Sequence, residues 1–149
     1  MKLVLVVEDE YGNAEIVKLL LEAEGYRVAS ASNGDAALAL LAGEMPALIL
    51  SDFMMPIMNG GELGAAVRRN PGLSHIPFVI MSGTSESVVR ETFRDYDAFL
   101  PKPFEMESML TLIARFISSG RPSLPDSREV GESMRQLLKG IEMPPKDRG

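Results

Sequence analysis

Side chains that could do chemistry stand directly after short apolar runs at four places in the sequence. They are Glu8, Asp9 and Glu10, then Asp52, then Ser82 with Thr84, and finally Lys102. If these positions meet, the carboxylates of Glu8, Asp9 and Asp52 face one ammonium, which leaves an excess of about two negative charges at neutral pH. Negative charges at such short distances from one another destabilise the site unless a cation neutralises them. A hard divalent cation with oxygen ligands, Mg²⁺ or Mn²⁺, is the natural counter-charge.

With a cation in place, Asp52 can act as a nucleophile, because aspartyl phosphates are an established class of covalent intermediate. Phosphoryl transfer needs little from a protein beyond position and counter-charge. Lys102 and the cation would supply the charge, and the Ser82 hydroxyl would donate a hydrogen bond to a phosphoryl oxygen. Gly83, which lacks a side chain, would let the group approach closely. The residue types therefore predict reversible phosphorylation of Asp52.

Short apolar runs alternate with segments of helical spacing, and these elements must position the reactive groups. The predicted strands are residues 3–7, 26–31, 47–51, 78–81 and 98–100. The first predicted helix has an apolar stripe through residues 16–21 and is stopped by Gly25. The other predicted helices are 33–43, with Asn33 as its cap, 61–70, 85–95 and 105–119. Five strand–helix repeats with continuously apolar strands favour a doubly wound α/β fold, a five-stranded parallel sheet with helices on both faces. Ligands bind at the carboxyl ends of such strands, where the reactive groups lie.

The segment after Asp52, FMMPIMNG, is typical of a loop that turns the chain away from the sheet edge. Pro56 stiffens this loop, and we expect Gly60 to adopt a backbone angle that other residues resist. Met55 and Met58 are expected to fill gaps in the core or the loop. The buried strand before Asp52 would fix the position of its carboxylate.

The composition excludes several classes of function. The 149-residue chain is expected to form one domain with a short extension. It has no cysteine, which excludes disulfides and thiolate metal sites. The formal net charge of −6 argues against nucleic-acid binding. No segment approaches the ~18 apolar residues of a membrane span, and the first apolar run is too short for a secretory signal. We therefore expect a soluble cytoplasmic protein with no membrane or nucleic-acid partner.

Residues 120–149 are expected to extend a domain that spans residues 1–119. The segment RPSLP has the composition of a linker. An apolar stripe then predicts a short amphipathic helix with Asp126 as its cap, and its members are Val130, Met134, Leu137, Leu138 and Ile141. This helix either packs on its own domain or frays, or it docks on a partner or a second copy. At the other end, a strand that starts just after Met1 favours a natural amino-terminus.

Four motifs in the same order give the chain a resemblance to the receiver domains of bacterial two-component response regulators. They are VLVVEDE at 4–10, DFMMPIMNG at 52–60, VIMSG at 79–83 and FLPKPF at 99–104. The resemblance implies a flavodoxin-like (βα)5 fold of the single-domain, chemotaxis-regulator type. It also implies a signalling switch that catalyses its own Mg²⁺-dependent phosphorylation from the phosphohistidine of a sensor kinase or phosphotransfer protein. Phosphorylation would change the binding of a downstream protein through the face of the fourth helix, fifth strand and fifth helix, and a homodimer is a further option.

The resemblance gives each charged group at the strand ends a role. Asp52 resembles the phospho-acceptor, and Lys102 resembles the lysine that pairs with the phosphate. Glu8 and Asp9 resemble the acidic pair that binds Mg²⁺, together with Asp52 and the backbone carbonyl of Met54.

Further positions match the switch and lifetime residues of the family. Ser82 resembles the hydroxyl residue that moves toward the phosphoryl group, and Phe99 resembles the aromatic switch that turns inward on activation. The Lys102–Pro103 bond is similar to the cis peptide bond of the family. Met54 and Thr84 occupy positions that tune hydrolysis, and an apolar Met54 would shield the aspartyl phosphate from water. The chain departs from the family in the segment DYDA at 95–98, which lacks the usual glycine and leaves the loop geometry open.

Other interpretations stay open. Taken alone, the acidic cluster could be a solvated helix start, Asp52 a turn former and Lys102 a surface lysine. For the whole chain, the main alternative is a receiver-like scaffold that works without phosphorylation, although every chemical position is filled. A phosphate hydrolase would carry its nucleophile after the first strand. A flavin-binding protein would need a phosphate cradle there, where the acidic cluster would repel phosphate.

Overall fold

Five parallel strands form one sheet in the computed structural model, which describes residues 1–122. The strands are β1 (Leu3–Val7), β2 (Arg27–Ala31), β3 (Leu48–Asp52), β4 (Phe78–Ser82) and β5 (Ala98–Pro101). The helices are α1 (Tyr11–Ala23), α2 (Gly34–Gly43), α3 (Gly60–Arg69), α4 (Glu86–Thr92) and α5 (Met106–Ser119). The strand order is β2-β1-β3-β4-β5, so the predicted doubly wound fold is confirmed. The predicted tail helix lies outside the described residues. Within residues 1–122, every helix is too short or too polar to cross a membrane.

Each central strand contributes alternate residues to two cores, one on either face of the sheet. The core under α1 and α5 contains the strand residues Val4, Val6, Leu48, Leu50, Val79 and Met81. The core under α2, α3 and α4 contains Leu5, Val7, Ile49, Phe78 and Ile80. Strands β1, β3 and β4 are buried along their whole length, which explains why their sequences are apolar without alternation. The residues at their carboxyl ends are therefore held on a rigid base.

The helix ends follow local signals in two cases and tertiary packing in a third. Asn33 caps α2 by accepting a hydrogen bond from a backbone N–H of the first turn, as predicted. Gly25 follows α1 with a φ of +96°, as expected of a residue that stops a helix. Helix α4 is shorter than predicted and ends at Thr92. The reason is that Phe93 adopts an extended backbone and packs its buried ring against Gly64. A β-carbon on Gly64 would lie 2.4 Å from this ring.

A buried carboxylate ties together the loops at the amino-terminal edge of the sheet, opposite the predicted site. The Asp97 side chain is only 4% exposed and accepts hydrogen bonds from Arg68 at 2.9 Å, Arg121 at 2.9 Å and the Phe78 N–H at 2.8 Å. Arg121 also pairs with Asp95 at 2.6 Å. These bonds fix the DYDA segment, whose geometry the sequence left open. They also hold Arg121, two residues beyond the end of α5, against the loop that precedes β5.

Candidate functional site

The carboxyl ends of β1, β3 and β5 bring the predicted charged groups together. Lys102 Nζ lies 3.2 Å from Glu8 Oε1 and 3.2 Å from Asp52 Oδ1. Carboxylate oxygens of Glu8, Asp9 and Asp52 lie within 4.8 Å of one another. Strands β1 and β3 are neighbours, which places their terminal acids side by side, whereas the long lysine stem reaches across the end of β4. The site thus has one ammonium among three acids.

The three consecutive acids after β1 have different environments, although they are neighbours in the sequence. Glu8 is buried, with 4% of its surface exposed, and Asp9 is exposed. Glu10 faces away from the cluster and caps α1, because its carboxylate accepts hydrogen bonds from the N–H groups of Gly12 and Asn13. The interpretation as a helix start therefore holds for Glu10, while Glu8 and Asp9 belong to the charged cluster.

Burial and the neighbouring Asp52 raise the pKa of Glu8 from its ordinary 4.5 to about 7, although Lys102 opposes this shift. Asp52 acts both by charge repulsion and by a hydrogen bond that favours the protonated form of Glu8. Burial lowers the pKa of Lys102, but the attraction of Asp52 and Glu8 outweighs burial and raises it above its ordinary value. One lysine therefore leaves the cluster with surplus negative charge. Clustered oxygen donors with surplus negative charge fit Mg²⁺ or Mn²⁺.

The end of β4 contributes a buried hydroxyl to the same edge. Ser82 is 1% exposed, and its Oγ accepts a hydrogen bond from the Thr84 N–H at 2.9 Å. The backbone N–H of Lys102 donates to the Ser82 carbonyl at 2.8 Å, which fastens the base of the lysine to the neighbouring strand. Apart from its two chain neighbours, no atom of residues 1–122 would lie within 4 Å of a β-carbon on Gly83, so this position is uncrowded. Met54 lies on the adjoining loop with 61% of its surface exposed.

The loop after Asp52 corrects one prediction about its backbone. Gly60 does not have a positive φ but begins α3, and glycine is needed because a β-carbon would lie 2.3 Å from the carbonyl oxygen of Asp52. The positive φ in this loop, 73°, belongs to Ile57. Met55 and Met58 are partly buried and pack against the core, as expected.

The Phe99 position connects to α4 through an aromatic contact that the sequence did not reveal. Phe99 is half-buried, and its ring centroid lies 6.3 Å from that of Tyr96. Tyr96 lies 6.2 Å from the Phe93 ring at the end of α4 and donates a hydrogen bond to Glu86 at its beginning. Burial and this hydrogen bond raise the pKa of Tyr96. The Lys102–Pro103 peptide bond, at the end of the same strand, is cis.

Comparison with known proteins identifies the family. The family described as response regulator receiver domain matches residues 4–114. The probable transcriptional regulator ycf29 of Pyropia yezoensis is 31% identical over 151 residues, which cover 99% of this chain and 67% of that protein. The signal receiver domain of a signal transduction histidine kinase from Syntrophus aciditrophicus superimposes with a TM-score of 0.76 at 30% identity, covering 85% of this chain and 98% of that one. The response regulator TrrA of Thermotoga maritima, solved in complex with Mg²⁺-BeF, gives a TM-score of 0.68 at 25% identity, covering 77% of this chain and 98% of that one. The chain thus belongs to the response regulator receiver domains, the family that its four motifs resemble.

Proposed function

We propose that this chain is a phosphorylation-dependent switch that accepts a phosphoryl group on Asp52 from a protein phosphohistidine. The observation that carries the proposal is the position of Lys102 Nζ, 3.2 Å from both Asp52 and Glu8. Placing two buried carboxylates side by side costs stability, and one lysine does not cancel that cost. A scaffold without chemistry would gain nothing from this arrangement, whereas a phosphoryl acceptor needs the charge and the position.

In the proposed reaction, an oxygen of Asp52 attacks phosphorus of a phosphohistidine whose other ring nitrogen is protonated. The bond from phosphorus to the imidazole nitrogen breaks, its electron pair stays on that nitrogen, and imidazole leaves in its neutral form. Lys102 pairs with the phosphoryl oxygens. Ser82 Oγ accepts one hydrogen bond already and can still donate its own hydrogen to a phosphoryl oxygen. Glu8, Asp9, Asp52 and the Met54 carbonyl would hold a divalent cation, which when bound neutralises charge on the transferring group. Attack by water on the aspartyl phosphate reverses the switch and releases inorganic phosphate.

A cavity of about 380 Å³ beside the charged cluster supports a protein as the phosphoryl donor. The polar residues of its lining are Glu8, Asn13 and Lys102, and its apolar residues include Ile16 on α1, Met81 on β4 and Met106 on α5. Ile16 is 51% exposed and Met106 is 38% exposed. An exposed apolar surface next to the acceptor suits docking by a sensor kinase or a phosphotransfer protein.

The output of the switch is proposed to pass through the face formed by α4, β5 and α5. The ring of Phe99 on β5 contacts that of Tyr96, and the Tyr96 hydroxyl donates a hydrogen bond to Glu86 on α4. A movement of β5 would therefore reach α4 through Tyr96. A downstream protein, or a second copy of the chain, would read the change at this face. The regulator TrrA was solved with Mg²⁺-BeF, which supports the choice of magnesium as the cation.

A labelling experiment tests the proposal. The purified chain is incubated with Mg²⁺ and acetyl phosphate and then run on a phosphate-retarding gel. We expect one alkali-labile phosphate, lost in Asp52→Asn or with a chelator and kept in the control Asp35→Asn, an exposed acid on α2. No labelling would favour the scaffold alternative, and rapid release of inorganic phosphate would favour a hydrolase.

The lifetime of the phosphate tests the proposed role of the exposed Met54 side chain. If Met54 shields the aspartyl phosphate from water, Met54→Asn should lose its phosphate faster than the wild type. Thr84, on the loop after the neighbouring strand β4, is proposed to tune the same step. Equal rates of dephosphorylation in Met54→Asn and the wild type would exclude shielding.

A further inference from the structure

Ile57, at the tip of the loop after Asp52, adopts a conformation that isoleucine rarely takes. Its φ is 73°, and across it the Met58 N–H donates to the Pro56 carbonyl at 2.8 Å. This is a γ-turn with a positive central φ, the rare and strained form of the turn. A branched β-carbon increases the strain. In the part of the chain that the structure describes, no other non-glycine residue has a positive φ.

The fold does not use the Ile57 side chain to fill space, because 75% of it is exposed. Its neighbours Met55 and Met58 pack against the core instead. Met58 fits so closely over Gly34 that a β-carbon there would lie 2.6 Å from the sulfur atom. The flanking residues therefore pin the loop and present Ile57 outward. Glycine or asparagine would adopt the turn at lower cost, so strain kept at an exposed position indicates a function other than stability.

We propose that Ile57 is a contact residue for the protein that donates the phosphoryl group, and that it helps to select that donor. This inference rests on the proposed function. Only 9% of the Asp52 side chain is exposed, so a donor must press its phosphohistidine into the rim that the loops form around it. Ile57 and Met54 lie on the rim loop that leads away from Asp52, and both expose apolar side chains. A pinned loop loses little entropy when a partner covers it, which favours docking.

The test compares a protein donor with a small one. The donors are all histidine-kinase transmitter domains and phosphotransfer proteins encoded by the source organism, labelled with ³²P on histidine, and the one that labels the wild type fastest is used. The variants are Ile57→Asn and Ile57→Gly. The control is Met45→Asn, because Met45 is another loop residue with an exposed apolar side chain, 50% exposed, at the opposite edge of the sheet.

We expect transfer from the protein donor to slow about tenfold in both Ile57 variants, as for truncation of a central interface residue. Labelling of Asp52 by acetyl phosphate should stay within about twofold of the wild type, because so small a donor covers little of the loop. The melting temperature of both variants should rise as the strain is relieved. Met45→Asn should match the wild type with both phosphate sources.

Each other outcome overturns the inference. Equal slowing with both phosphate sources would mean that the loop shapes the site itself. No slowing, or the same slowing in Met45→Asn, would mean that Ile57 does not contact the donor. A change in oligomeric state without a change in transfer would assign Ile57 to a contact between copies. If acetyl phosphate labels Asp52 and no protein donor does, the donor contact fails while the chemistry of Asp52 stands. If no phosphate source labels Asp52, the proposed function fails as well.

Discussion

Without magnesium, the stability of this chain should fall as the pH rises, because Glu8 holds a proton in the folded state. Its pKa is about 7 in the fold, against an ordinary value of 4.5. Below pH 4.5 the folded and unfolded chains both carry the proton, and the contribution is fully present. Between pH 4.5 and 7 only the folded chain keeps it, so the free energy of unfolding decreases with rising pH. The difference between the two pKa values corresponds to a loss of about 3 kcal/mol, complete once the pH exceeds 7.

Urea unfolding in EDTA at a series of pH values from 5 to 8 measures this effect, with Glu8→Gln as the matched variant. Glutamine stays neutral and keeps the shape of the protonated acid, and all other groups titrate in both proteins. The difference in stability between the two proteins should therefore report Glu8 alone. Added Mg²⁺ should stabilise the wild type more at pH 8 than at pH 5, where it must displace the proton. Parallel pH curves in EDTA would refute the assignment of the proton to Glu8.

Two further predictions concern packing and are checked by the same unfolding assay. Asp97→Asn should cost about 3 kcal/mol, because it removes the buried counter-charge of the Arg68 guanidinium and leaves it the exposed Asp95 carboxylate at 3.5 Å. Asp95→Asn, with its side chain 61% exposed, should cost less than about 1 kcal/mol. Gly60→Ala should cost about 2 kcal/mol, since its β-carbon would lie 2.3 Å from the carbonyl oxygen of Asp52, and it should slow labelling by acetyl phosphate. Gly43→Ala, whose β-carbon would meet nothing within 4 Å, should be neutral or stabilising. Equal effects within either pair would contradict the contacts described here.

The fold could be predicted from the sequence because its signals are local. Strands β1, β3 and β4 are buried on both faces, so their sequences are apolar runs that stop where the sheet ends. Parallel strands place those stops at one edge, and this alone brings Glu8 and Asp52 together. The length of the lysine side chain does the rest, because Lys102 has to cross only the end of β4. The fold and the meeting of the charged groups can both be inferred from the periodicity of apolar residues and the order of strands and helices, which a single sequence provides.

The features that the sequence did not reveal depend on contacts between distant residues. Phe93 leaves α4 early because Gly64, on another helix, makes room for its ring. The positive φ falls on Ile57 rather than on Gly60, since the packing of the loop decides where the backbone turns. Arg121 donates a hydrogen bond to Asp97, which lies 24 positions earlier in the chain, and no local sequence pattern predicts this pair. Pattern reasoning assigns each residue by its neighbours in sequence, so it misses roles that neighbours in space impose.

Strand β5 is the element that can carry a change of charge at the site to the surface of α4. Its end holds Lys102, which is bonded through its backbone to Ser82, and its middle holds Phe99 against Tyr96, whose hydroxyl reaches Glu86 on α4. Within residues 1–122, β5 is an edge strand that pairs only with β4, so it has fewer neighbours to displace than β1 or β3, which pair with a strand on either side. The proposed phosphorylation of Asp52 would replace one carboxylate charge with a more highly charged group. Lys102 lies 3.2 Å from Asp52, and β5, the strand that it directly follows, has fewer strand neighbours than the central strands.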